Sequence, residues 1–167
     1  MIKDIIMKIL LLTLLFFVVF AYHRQGIASS IHKVIYIYDG DTIITKDTRN
    51  RKYKIRLAGI DAPEDGQHYG DKSTKALKSL ISNKMIKVVL EPKRDRYKRY
   101  VGRLYLNNLD INKEMIRLGA AWHEKRYTRG KTYRSFLKSE YYAQKNRLGL
   151  WRYSEPMPPW VWRRLHK

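Results

Sequence analysis

Apolar positions fall into three patterns along this chain. Residues 9–22, ILLLTLLFFVVFAY, form a nearly unbroken apolar run, with no polar side chain between 14 and 20. From His32 the pattern alternates, as a half-buried strand requires. Val34, Tyr36 and Tyr38 are expected on one face of a first strand and Ile35 and Ile37 on the other, after a polar linker over 23–31. Asp39-Gly40-Asp41 reads as a turn or bulge, and Thr42–Ile44 resume the strand. KDTRN at 46–50 is a hairpin loop. Tyr53, Ile55 and Leu57 then alternate with Lys54, Arg56 and Ala58, which puts Arg56 opposite the core-facing side.

Beyond Pro63, which breaks the ladder, the period lengthens to that of a helix. The spacing predicts a helix from Asp71 or Ser73, with Ala76, Leu77, Leu80 and Ile81 inward and Lys72, Lys75 and Lys78 outward. Strands follow at 85–91 and from Arg99 to Tyr105, with a tight turn at Asn107-Asn108. Asp110 or Asn112 caps a short helix closed by Gly119, and AAW at 120–122 adds a short barrel strand. A last helix is expected to bury Tyr133, Leu137, Tyr141 and Leu148, with Phe136 beside them, and to end at Gly149. The tail PMPPWVWRR holds three prolines, which argues against a regular element; it is expected to pack back through Trp160 or Trp162.

Short antiparallel strands with one helix between the third and fourth define an α+β fold, mainly β with packed helices. The layout suits a five-stranded oligonucleotide-binding barrel. The expected division is a leader over 1–28, a barrel domain over 29–151 and a Pro/Trp-rich tail over 152–167 packed on that domain.

Lys3 and Lys8 before the apolar run give the leader the form of a signal peptide, with Gly26 and Ala28 suited to cleavage before Ser29. A retained N-terminal membrane anchor over Ile5–Tyr22 is the alternative. Both place the protein outside the cytoplasm, secreted or held at a membrane.

Charge narrows the partner. The formal net charge is +20, from 35 Lys+Arg against 15 Asp+Glu. A positive field gathers polyanions, so DNA or RNA is the expected partner, with an anionic membrane surface as competitor. There are no cysteines, which excludes disulfides, thiolate catalysis and sulfur-ligated zinc.

Against that basic background, 37–64 keeps two acidic clusters: Asp39 and Asp41 in YDGDT, and Asp61 and Glu64 in GIDAPE. A hairpin brings its two ends together, so the clusters meet. Asp41 and Asp61 are candidate metal ligands, and hard carboxylate oxygens favour calcium or magnesium. Asp39 is a third ligand or a brace for the turn. Glu64 is placed to polarise a water, and Arg56 to fork phosphate oxygens. A second phosphate-facing arginine is Arg99 or Arg103.

YDGDT, RLAGIDAPE, DRYKRYVGRLY, NKEMIRLGAAW and RLGLW, in this order and spacing, resemble the staphylococcal nuclease (thermonuclease) family over roughly residues 33–151. The resemblance implies an oligonucleotide-binding barrel and calcium-dependent hydrolysis of DNA and RNA, leaving 3′-phosphate and 5′-hydroxyl ends. By motif it gives calcium to Asp41, Asp61 and the Ala62 carbonyl. It makes Glu64 the general base and Arg56 and Arg99 the phosphate-binding arginines. Lys98 stands where the family has glycine; if it shifts Arg99, Arg103 takes the role. Tyr97 and Trp122 match nucleotide-pocket aromatics, and Tyr127 compensates for Glu124, which stands where a third aromatic is usual. A monomer is expected. The competing reading is a non-catalytic nucleic-acid-binding or protein-binding member of the same barrel class.

Overall fold

The computed structural model describes residues 29–166, together with Met7 and Thr13. The leader reading therefore lies outside the described residues, apart from those two positions. Among the described residues no helix is long and apolar enough to cross a membrane.

Ser29–Ile37 forms β1, which starts earlier than the alternation suggests, because Ser29, Ser30 and Ile31 pair with Val89, Val88 and Lys87. Ser29, Ser30 and Ile31, expected as part of a linker, are therefore strand. A bulge between Val34 and Tyr36 shifts the register, so Val34 and Ile37 both face the core. Ile35, Tyr36 and Tyr38 are left exposed. The extra residue at a bulge turns the alternation over, which corrects the face assignment made from period alone. Thr42–Asp47 (β2) and Lys52–Leu57 (β3) continue as an antiparallel meander, with Thr42 opposite Arg56.

Ile60–Asp61 (β4) leads to helix Gly70–Ile81 (α1). Met85–Leu90 (β5) and Tyr100–Leu106 (β6) return to the sheet, extended by Leu109–Asp110 (β7). The strand order is β3-β2-β1-β5-β6-β7, and a parallel pairing of β3 with β6 closes the first five of these into a barrel. This is the expected five-stranded architecture. Its interior holds Val34, Ile43, Ile55, Leu57, Val88 and Leu104, each no more than 1% exposed. Burial of such side chains is worth about 1.5–3 kcal/mol each.

Helix Ile111–Arg117 (α2) starts at Asp110, whose carboxylate accepts from Lys113 N at 3.2 Å. Asn112 does other work inside the protein. It is fully buried, accepts from Leu104 N at 3.0 Å, and donates to the carbonyls of Ala58 and Gly102 at 2.9 and 3.1 Å. The short strand after α2 is Trp122–His123 (β8), not 120–122. It pairs with β4 in a separate two-stranded ladder outside the barrel.

Helix Gly130–Lys145 (α3) buries Phe136, Ser139, Glu140 and Ala143, while Leu137 and Tyr141 stay exposed. The face predicted from hydrophobic period is rotated, because two of the buried positions are polar. Glu140 is satisfied there: it accepts from His123 N at 3.0 Å and pairs with Lys125 at 3.1 Å. The helix ends at Lys145, before Gly149, which opens a short 3₁₀ turn at a φ of 57°. The tail also departs from expectation. Pro159–Leu165 forms a helix (α4), with proline at its first position, where a missing N–H costs nothing. Pro159 is buried, and Gln67 Nε2 donates to the Met157 carbonyl at 2.7 Å.

Candidate active site

The site sits where β1 passes into β2 and β3 passes into β4. Asp39 accepts from Asp41 N at 2.8 Å, the local hydrogen bond that shapes an aspartate turn. Gly40 is required by space. A Cβ there would meet Ser73 Oγ on α1 at 1.9 Å and Ala62 Cβ at 2.7 Å. The DGD loop thus seats directly on α1 and on the DAPE segment, and Asp41 Oδ2 accepts from Ala62 N at 2.7 Å. Thr42 Oγ1 donates to Asp41 Oδ1 at 3.0 Å.

Arg56 projects from the outer side of β3 into this junction. It donates to Asp61 Oδ1 at 2.7 Å and forms a close ion pair with Asp41. Asp41 and Asp61 are 5% and 1% exposed. Two buried carboxylates cost free energy unless a positive charge compensates them, and here one guanidinium spans both. Burial lowers the pKa of Arg56, opposed chiefly by the charge of Asp61. Burial raises that of Asp39, opposed chiefly by Arg56.

Arg99 approaches from the segment before β6. Its Nε donates to Asp95 Oδ2 at 2.7 Å, and its Nη1 lies 3.5 Å from Thr42 Oγ1, next to Asp41. Lys98 accepts the left-handed conformation at a φ of 61° that glycine would take freely. The turn is closed by Lys98 N donating to the Asp95 carbonyl at 2.9 Å, so the glycine-to-lysine departure leaves Arg99 beside the site. Arg103 is engaged elsewhere. It pairs with Asp110 and donates to Thr132 Oγ1 at 3.1 Å, neither of which belongs to the acidic set.

The aromatic candidates are dispersed. Tyr97 is 63% exposed and lies under Arg99, 5.3 Å from its ring centroid. Trp122 lies opposite Asp61 in the β4–β8 ladder, but its ring packs against Trp151 at 4.3 Å and Trp160 at 5.6 Å. Tyr127 is 73% exposed and lines a pocket with Glu91, Arg103 and Thr132, a lining that includes neither Asp41 nor Asp61.

One residue of the site escaped the sequence reading. Arg163 on α4 donates to Asp61 Oδ1 at 3.1 Å and Oδ2 at 2.8 Å, and closely pairs with Glu64. These partners raise its pKa, the Asp61 hydrogen bonds most. Its signal was the WRR at the end of a tail read as irregular; helical spacing from Pro159 would have oriented it.

Among the described residues no three or more His, Asp or Glu side chains gather tightly enough to form a ready metal cluster. The donors present are nonetheless of the type a hard divalent cation takes. Asp41 and Asp61 offer oxygen only, are bridged by a cationic group already, and lie beside the backbone of Ala62.

A closed oligonucleotide-binding barrel with paired aspartates, a glutamate and arginines at one junction defines a class of phosphodiester-facing proteins. Residues 54–153 match the family of Staphylococcal nuclease homologues. An "Uncharacterized endonuclease" of Escherichia coli O157:H7 is 38% identical over 148 residues, covering 87% of this chain and 94% of the relative. One of the same description from Haemophilus influenzae is 38% identical over 162 residues, covering 96% and 87%. "Staphylococcal-like nuclease CAN1" of Arabidopsis thaliana is 35% identical over 140 residues, covering 82% of this chain and 42% of the plant protein. The chain belongs to the staphylococcal nuclease family.

Proposed function

We propose that the protein is a calcium-dependent nuclease that hydrolyses phosphodiester bonds of DNA, and of RNA, leaving 3′-phosphate and 5′-hydroxyl ends. Family membership supports nuclease-type enzyme activity in general. The observation that carries the finer reading is the single Arg56 guanidinium shared by Asp41 and Asp61, with Arg99 on the adjoining threonine.

Asp41, Asp61 and the Ala62 carbonyl are the groups that would hold calcium, which supplies positive charge against a non-bridging phosphate oxygen. Glu64 takes a proton from the attacking water. Arg56 and Arg99 hold the phosphoryl oxygens as negative charge builds on them; the P–O bond to the 5′ oxygen breaks as the bond to water forms, and the 5′ oxygen takes a proton from solvent to leave as the hydroxyl. The strand is drawn in by the excess of lysine and arginine, and the exposed ring of Tyr97, flanked by Arg96 and Arg99, offers a stacking surface to a base once a guanidinium moves aside. We place this work outside the cytoplasm, by export through the leader, which is either cleaved before Ser29 or kept as a membrane anchor. Cleavage of a defined DNA strand by the wild type in calcium, compared with Glu64→Gln of equal folded content, tests the proposal. Loss of turnover in the variant is expected, and equal turnover overturns the role of Glu64.

A further inference from the structure

Guanidinium donors take three of the roughly four acceptor positions on the Asp61 carboxylate. Its Oδ1 accepts from Arg56 at 2.7 Å and from Arg163 at 3.1 Å, and its Oδ2 accepts from Arg163 at 2.8 Å. Its side chain is 2% exposed, so a cation has no open path to it from solvent past the two guanidiniums. A cation that binds Asp61 must therefore displace one of the two guanidiniums. Arg56 is fixed on a barrel strand, with its side chain 17% exposed. Arg163 rides on a seven-residue terminal helix, with its side chain 40% exposed. Arg163 is the group that gives way.

Displacement from Asp61 does not free Arg163 altogether. It also closely pairs with Glu64, through the same Nη1 that reaches Asp61 Oδ1. Helix α4 keeps it at hand by contacts outside the acidic set. Trp160 packs against Trp122, Pro159 is buried, and Met157 is tied to Gln67, whose Oε1 accepts from Glu64 N at 2.9 Å. The tail and the Glu64 backbone are therefore joined through one glutamine.

We propose that Arg163 is a positioning residue of the active site: it orients the Glu64 carboxylate and fills the cation's place on Asp61 until the cation arrives. The inference rests on the calcium-nuclease reading above. It adds a tail-borne guanidinium to the site and makes metal loading an exchange of one positive group for another.

Calorimetric titration of calcium alone into the full chain, without nucleic acid, reads the exchange directly. In Arg163→Gln the competing charge is gone, and calcium should bind about fivefold more tightly, the worth of one partly exposed ion pair. At saturating calcium the same variant should lose about tenfold or more in kcat with KM little changed, because Glu64 has lost its orienting partner. Arg163→Lys keeps the charge without the fork, so it should retain wild-type calcium affinity and recover kcat in part. A helix that served only as a strap would move none of these in this pattern. Calcium affinity equal to or weaker than wild type in Arg163→Gln overturns the proposal, and so does an undiminished kcat. Absence of cleavage by the wild type overturns the nuclease reading while the titration still reports on Arg163. Absence of calcium binding by both proteins overturns the calcium reading and this proposal with it.

Discussion

Arg56 on β3 donates to Asp61 on β4 at 2.7 Å, five residues further along the chain, while also pairing with Asp41 just before β2. One guanidinium thus spans both ends of the hairpin. Lysine in its place keeps the charge but loses the planar fork and reaches one carboxylate at a time. Arg56→Lys should lower kcat/KM by about 10²–10³-fold, the usual effect of removing a donor that faces developing charge. Steady-state kinetics on a labelled oligonucleotide check this, with the urea midpoint reporting any loss of fold.

Lys98 holds a backbone conformation that costs a residue with a side chain about 1 kcal/mol relative to glycine. Lys98→Gly should leave Arg99 in place and keep activity within a few-fold of the wild type. It should raise stability by up to about 1 kcal/mol, the relief being partly offset by the freer unfolded chain. Thermal unfolding at matched concentration measures it. A large fall in activity would show that the lysine itself contacts substrate.

Glu140 ties α3 to β8, and β8 ladders onto the strand that carries Asp61. Glu140→Ala leaves the buried His123 N–H without an acceptor and Lys125 without its partner. A loss of about 2–4 kcal/mol in unfolding free energy is expected, read from urea denaturation.

His123 gives the stability a definite pH dependence. It is 2% exposed, with Nε2 2.7 Å from Thr128 Oγ1, and Nδ1 has no hydrogen-bond partner. Burial lowers its pKa below the ordinary 6.5, against the opposing charge of Glu140. Burial lowers that of His32 in the same sense. Below pH 6.5 the unfolded chain therefore binds more protons than the folded one. The contribution is whole above that pH and lost as the pH falls towards the depressed folded values. The urea midpoint should fall between pH 7 and about pH 5, and His123→Gln should flatten that slope.

Much of the fold could be read from alternation alone, because β3 buries Ile55 and Leu57 against the barrel interior and leaves Lys52 and Lys54 exposed on the other face. The same rule failed at β1, where a bulge reverses the faces midway. It failed on α3, where Ser139 and Glu140 are buried and satisfied by partners that hydropathy does not register. In the site, Asp41, Asp61 and Arg56 were legible because a hairpin returns its far end to its start. Arg163 was not, because its approach depends on a tail helix whose prolines sit at and before its first turn, where they start a helix instead of breaking one.

On the proposed mechanism, this site hydrolyses phosphodiesters only with a divalent cation in it. Purified protein is incubated with a defined single-stranded DNA and its RNA counterpart in calcium, then with excess chelator, and the products are weighed by mass spectrometry. Cleavage is expected in calcium, with fragments ending in 3′-phosphate and 5′-hydroxyl, and arrest on chelation with recovery when calcium is restored. Intact strands in calcium at mildly alkaline pH, or cleavage that continues undiminished in chelator, would contradict it.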